Sequence, residues 1–150
     1  MSEANPFSLR LFARWPDMDF NQHMRNAAYL GAAEDCRMSF LADRGFTIDT
    51  FRAQGFGPVV VEDKLTYKKE LRLLEPFEVR IELAASTRDA RKMRVRNTIV
   101  RDSDKTVCAV VESVILWLDL AARKPRVPPE ELQREWLTMA RTAEFTWLEG

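Results

Sequence analysis

"NAAYLGAAEDCRMSFLADR", Asn26 to Arg44, decides the fold. The segment lacks proline and consists largely of good helix formers. Gly45 follows directly, where a helix C-terminus favours glycine. Tyr29, Leu30, Ala33, Cys36, Arg37, Phe40 and Leu41 fall at spacings of three and four, and Ala27, Ala28, Ala32 and Met38 widen the apolar surface. A helix apolar on most of its sides, with small residues along it, is the kind a curved sheet encloses. One long central helix is the predicted centre of the molecule.

Working outward, "FSLRLFARW" before it is short and bounded by Pro6 and Pro16. It sets Leu9, Leu11 and Ala13 against Arg10, Phe12 and Arg14, the period of a strand. After the helix, "GFTIDTFRAQGFGP" reads as a loop. Strands follow for about sixty residues, beginning with "VVVEDKLTYKKEL". "FEVRIELAAS" turns Phe77, Val79, Ile81, Leu83 and Ala85 inward, and "KMRVRNTIV" does the same with Met93, Val95 and Ile99. "TVCAVVESVILWLDL" is nearly continuously apolar, which predicts a central strand covered on both faces. The short polar connections "TRDAR" and "RDSDK" predict hairpins and an antiparallel sheet. In "RKPRVPPEELQREWLTMA", proline at the first helical turn and Leu132, Trp136, Leu137 and Ala140 on one side predict a short amphipathic surface helix.

The predicted fold class is therefore α+β, an antiparallel sheet wrapped around a long central helix with a short C-terminal helix. No linker, repeat or low-complexity stretch divides the chain, and 150 residues suit one domain, 1–150, with one core. Such a sheet leaves edges open, and a second copy that continues it is the expected remedy.

Lys plus Arg and Asp plus Glu both number 23, so no global field favours nucleic acid or an anionic membrane. "MSEANPFSL" has no basic segment followed by an apolar one, and no apolar run reaches the ~18 residues of a membrane span. A cytoplasmic protein is expected. Cys36 and Cys108 lie in apolar surroundings without the spacing of a zinc site or a disulfide framework, so two buried reduced thiols are expected. With His23 as the sole histidine, a metal site is not expected.

The stretch "RWPDMDFNQHMRNAAYL", Arg14 to Leu30, carries the candidate chemistry. A helix starting near Asn26 offers first-turn amides without intrahelical acceptors and the positive end of its dipole. Such a terminus can hold a carbonyl oxygen and the oxyanion that forms when that carbonyl is attacked. Asp19, in the loop just before it, fits a general base for water or a direct nucleophile. Asp17 and Asp19 fit equally as turn or N-cap residues. His23 fits a structural hydrogen-bonding role, Tyr29 a core position, and Glu34 with Arg37 a side-chain ion pair.

The same stretch, extended to Leu41, resembles the hotdog-fold acyl-CoA thioesterases of the 4-hydroxybenzoyl-CoA thioesterase-like superfamily. Their motif, Asp-x-Asp-x-x-Gly-His-x-Asn-Asn-x-x-Tyr followed by Glu-x-x-Arg, is matched by Asp17, Asp19, His23, Asn26, Tyr29, Glu34 and Arg37. The resemblance runs over roughly residues 8 to 135 and includes "DLAARKPRVPPEEL" as a closing strand and exit. It implies hydrolysis of an acyl-CoA, or of an acyl carrier protein thioester, without a cofactor, in a homodimer or homotetramer. It also implies Asp19 as base or nucleophile and the backbone at Asn26 as the carbonyl-polarising group. His23 and Tyr29 would shape the pocket. Gln22 and Arg25 depart from the motif's Gly and first Asn; Arg25 adds a cation that fits exposure to solvent first, and a CoA phosphate or an acidic acyl group as the alternative. Alternatives from other classes are a non-catalytic hotdog module that binds acyl-CoA or a protein, and a hydratase using His23.

Overall fold

The computed structural model describes residues 5–149. Residues 1–4, which belong to the N-terminal stretch read above as free of a targeting pattern, and Gly150 lie outside that range. The elements are β1 (Phe7–Phe12), α1 (Asn26–Asp43), α2 (Ile48–Gln54), β2 (Phe56–Tyr67), β3 (Pro76–Ser86), β4 (Lys92–Arg101), β5 (Val107–Asp119), β6 (Lys124–Pro125), α3 (Glu130–Leu137) and β7 (Arg141–Trp147). The sheet runs β1-β3-β4-β5-β2, with β6 on β5 and β7 on β3, and curls around α1 as a hotdog fold.

Helix α1 follows the predicted bounds. Tyr29, Ala32, Ala33, Cys36, Arg37, Phe40 and Leu41 are buried against the sheet. Its C-terminus closes as a Schellman motif: Gly45, at φ +90, donates to the carbonyl of Ala42, and Phe46 donates to that of Leu41. The inward faces of β3 and β4 are as the alternation requires: Phe77, Val79, Ile81, Leu83, Ala85, Met93, Val95 and Ile99 are all buried. Both cysteines are free and buried. No helix among the described residues is long and apolar enough to cross a membrane.

Three expectations need correction. The segment read as a loop contains α2, a helix of seven residues capped by Thr47, whose hydroxyl accepts from the Thr50 amide, and by Gly55 at φ +75. It is too short for periodicity to show, although its caps are present in the sequence. The central strand is β4, and β5 lies between β4 and β2. One face of β5 is covered only in part, because Val110, Val114, Leu116 and Leu118 are half-buried on the side away from α1. Helix α3 is the expected amphipathic surface helix: Glu130, Glu131 and Arg134 are exposed, Leu132 and Trp136 are buried, and Trp136 meets Phe40 and Trp117 edge-on at 5.6 and 5.8 Å. Strand β7, unanticipated, pairs in parallel with the part of β3 beyond the reach of β1.

Candidate active site

Strand β1 delivers Arg14 to a single 3-10 turn, Trp15–Asp17. The Arg14 guanidinium donates through Nε and Nη2 to the two Asp17 carboxylate oxygens, both at 3.0 Å. Those hydrogen bonds hold the Asp17 carboxyl below the ordinary carboxylate range. The Asp17 carbonyl also accepts from the Arg25 amide at 2.7 Å. Asp17 is thus an anchor that ties the turn to the start of α1.

Asp19 organises the loop between. Its Oδ1 accepts from the amides of Asn21 at 2.8 Å and His23 at 3.1 Å. Its own amide donates to the His23 carbonyl at 2.8 Å, and its carbonyl accepts from the Gln22 amide at 3.1 Å. This is an Asx turn closed on itself. Oδ2 has no hydrogen-bond partner among the described residues, so one oxygen shapes the loop and the other remains available. The Met24 amide donates to the Leu71 carbonyl at 2.8 Å and pins the loop to the β2–β3 connection.

The candidate residues divide between two cavities. Asp19 and Gln22 line one of about 650 Å³, together with Trp15, Met18, Arg72 and Leu73. Arg25 and the first turn of α1 line a groove of about 370 Å³ on the other side of the loop, with Arg14 and Asp17. Asn26 is exposed at the helix start, where its carbonyl accepts from the Tyr67 hydroxyl at 3.4 Å. The Asn26 and Ala27 amides have no acceptor among the described residues, as first-turn donors do not. Backbone hydrogen bonds hold the half-buried His23 to Asp19. Tyr29 is buried, packs edge-on against Tyr67 at 5.5 Å, and has its hydroxyl pushed up to about 12 by burial; it lines neither cavity. Among the described residues no cluster of His, Cys, Asp and Glu forms a set of metal ligands.

The family model of the thioesterase-like superfamily matches residues 13–137. The chain belongs to that superfamily. Solved structures agree on the fold. A hypothetical protein of Staphylococcus aureus, determined in complex with CoA, is 19% identical with a TM-score of 0.86, covering 99% of this chain and 93% of its own. A 1,4-dihydroxy-2-naphthoyl-CoA thioesterase from Synechocystis is 13% identical at TM-score 0.80, covering 89% and 96%. A probable thioesterase from Escherichia coli is 20% identical at 0.76, covering 90% and 99%. Membership makes this chain a thioester hydrolase.

Gln22 stands where the thioesterase motif has glycine, and the backbone accounts for the motif's preference. Gln22 sits at φ +65, the left-handed region that favours glycine. A non-glycine residue there costs about 1–2 kcal/mol, while glycine adds chain entropy worth roughly 0.5–1 kcal/mol in the unfolded state. Gln22→Gly is therefore expected to stabilise the thioesterase by about 0.5–1 kcal/mol, read as a higher urea midpoint at unchanged slope. A lower midpoint would show that the Gln22 side chain holds the loop.

Trp15, Arg72 and Leu73 complete the Asp19 cavity without any signal in the motif. Trp15 is 78% exposed, an aromatic ring unused by the core. Arg72 and Leu73 come from the β2–β3 connection, and only the fold brings them to the loop. The Glu34–Arg37 pair does not form: Arg37 is buried with Nε and Nη2 unpartnered, and Glu34 is exposed.

Proposed function

We propose that this thioesterase hydrolyses an acyl-CoA to a free carboxylic acid and CoA, with Asp19 as general base or nucleophile. The carrying observation is the division of labour at Asp19: among the described residues Oδ1 is fixed by two amides while Oδ2 is unpartnered, on a cavity separate from the groove that the first turn of α1 lines. Amides of the first turn, at Asn26 and Ala27, point their donors out of the helix and suit the thioester carbonyl oxygen. In the base route, Asp19 takes a proton from water and the resulting hydroxide attacks the carbonyl carbon. The C–S bond then breaks, and the thiolate leaves and is protonated. In the nucleophile route, the carboxylate attacks directly, CoA leaves, and water opens the mixed anhydride. Neither route needs a cofactor.

His23 holds the Asp19 loop closed through its backbone, and Gln22 contacts substrate from the same cavity wall. Arg25, exposed at the N-cap, suits a phosphate of the CoA arm. Tyr29 supports the floor beneath the helix start through Tyr67. The neighbour determined with CoA and the naphthoyl-CoA thioesterase support CoA, ahead of acyl carrier protein, as the thiol. Among the described residues strand β2 pairs only with β5, and the edge this leaves, with exposed Val60 and Val61, supports a homodimer, or a homotetramer built from one.

Purified protein should release thiol, detected with a chromogenic reagent, from some members of a panel of short, long, branched and aryl acyl-CoAs. It should sediment at a multiple of 17.4 kDa. Saturable acyl-CoA binding without thiol release across that panel would replace this reading with a non-catalytic binding module.

A further inference from the structure

Arg37 of α1 lines a cavity together with Pro58 and Val60 of β2. It is 5% exposed, yet Nε and Nη2 find no acceptor among the described residues. Unmet buried donors are rare in native proteins and costly, a charged one most of all. Burial lowers the Arg37 pKa, and Asp63 and Glu34 offset that through space. Neither carboxylate hydrogen-bonds to those two nitrogens: Asp63 accepts from the Ser113 hydroxyl, and Glu34 is exposed. A second orphan lies close by. Trp136, 1% exposed, has its indole N–H unpartnered.

Both side chains line the same cavity, of about 180 Å³, with Met38, Leu41, Pro58, Val60 and Ile115 as apolar walls and Glu34 as its one carboxylate. Walls that are apolar apart from Glu34, with donors that no acceptor among the described residues meets, fit hydrocarbon that carries an acceptor oxygen. Charge narrows the class. Asp63 and Glu34 already set two negative charges against the one positive charge of Arg37, so an added carboxylate meets net repulsion and a neutral carbonyl oxygen does not. The cavity lies between α1 and β2, and the Tyr67–Asn26 contact marks the end of that same helix–strand pair nearest the helix start. Arg37 is eleven residues beyond Asn26, about 16 Å along the helix axis, the reach of an extended chain of roughly a dozen carbons.

We infer that this cavity is a distal acyl subsite selecting a medium-chain acyl group with a keto oxygen near its far end, held by the N–H groups of Arg37 and Trp136. The inference rests on the reading of the α1 start as the thioester site.

Four substrates test it: butanoyl-CoA, dodecanoyl-CoA, a dodecanoyl-CoA bearing a methyl ketone at its end, and the dicarboxylic half-thioester of the same length. The ketone is expected to exceed dodecanoyl-CoA in kcat/KM by roughly tenfold or more, the scale of one charge-assisted hydrogen bond. Arg37→Met should bring that ratio close to one, Arg37→Lys should keep part of it, and Trp136→Phe should lower it. Should Arg37→Met fail to fold, the wild-type ratio and Trp136→Phe still decide. Equal rates for ketone and plain chain, or a preference for the dicarboxylic substrate, overturn the subsite. So does an Arg37→Met protein that slows on all four substrates alike. Absence of thiol release from any of them, butanoyl-CoA included, defeats the thioesterase mechanism itself.

Discussion

Asp19→Asn is expected to lower kcat for thioester hydrolysis by roughly 10²–10⁴-fold with the fold intact, the range typical of removing a positioned base. Asparagine is nearly isosteric, and its side-chain oxygen can go on accepting from the Asn21 and His23 amides, so the Asx turn survives. An amide, however, takes no proton from water and does not attack a carbonyl carbon. Circular dichroism and the urea midpoint should match the wild type. Asp17→Asn is the informative contrast. It breaks the two-pronged pairing with Arg14, so its main effect should fall on the stability of the turn and only secondarily on rate. A fully active Asp19→Asn protein would remove Asp19 from the mechanism. A fully active Asp19→Asn together with an inactive Asp17→Asn would move the chemistry to the Arg14 side of the loop, where Asp17 lines the same groove as the first turn of α1.

How far the sequence carries depends on how local each determinant is. Helix α1 was legible to within a residue because its signals lie inside it: a run free of proline, apolar spacing of three and four, and Gly45 at a left-handed C-terminus. The inward faces of β3 and β4 were legible for the same reason, since strict alternation needs no partner to be read. Helix α2 was missed because seven residues give under two full turns, too few for a period. Strand β7 was missed because nothing in "RTAEFTW" announces a parallel partner in β3 more than fifty residues earlier. The apolar run of β5 misled because its half-buried face looks like a buried one in sequence: Val114 stands between Arg94 and Glu62, and Leu116 between Lys92 and Val59. Long side chains shade such positions without enclosing them. At the site, the motif gave the residues of the loop but not their sides. Which cavity Asp19 faces is set by Leu71, Arg72 and Leu73, about fifty residues away and joined to the loop only by the folded sheet. Arg37 shows the same limit, since a spacing of three from Glu34 permits an ion pair that the folded chain does not make, Arg37 being buried and Glu34 exposed.

Trp117→Ala is expected to cost about 3–5 kcal/mol of unfolding free energy, the range for truncating a large buried aromatic side chain. Trp117 is fully buried on β5 and touches three elements through ring contacts: Phe51 of α2 at 6.1 Å, Phe56 of β2 at 5.9 Å, and Trp136 of α3 at 5.8 Å. Its indole N–H donates to the Ala90 carbonyl at 3.0 Å, which ties the β3–β4 turn to the same cluster. Truncation opens a void and also leaves that buried acceptor unmet, a further cost of about 1–3 kcal/mol if no water replaces the donor. Against a typical total of ~5–15 kcal/mol, the variant should sit close to its unfolding threshold at 25 °C. Urea unfolding followed by circular dichroism checks this, with Trp117→Phe as the partner measurement. Phenylalanine keeps most of the ring contacts and removes only the donor, so it should lose a small part of what alanine loses. Equal losses in the two variants would assign the cluster's stability to the Ala90 hydrogen bond. A loss under about 1 kcal/mol for alanine would mean that α2 and α3 dock independently of Trp117. The outcome bears on the acyl cavity as well. Trp136 reaches that cavity from a helix held against the sheet by Trp117 and Phe40, so loosening α3 should weaken the keto preference before it affects hydrolysis of a short acyl chain.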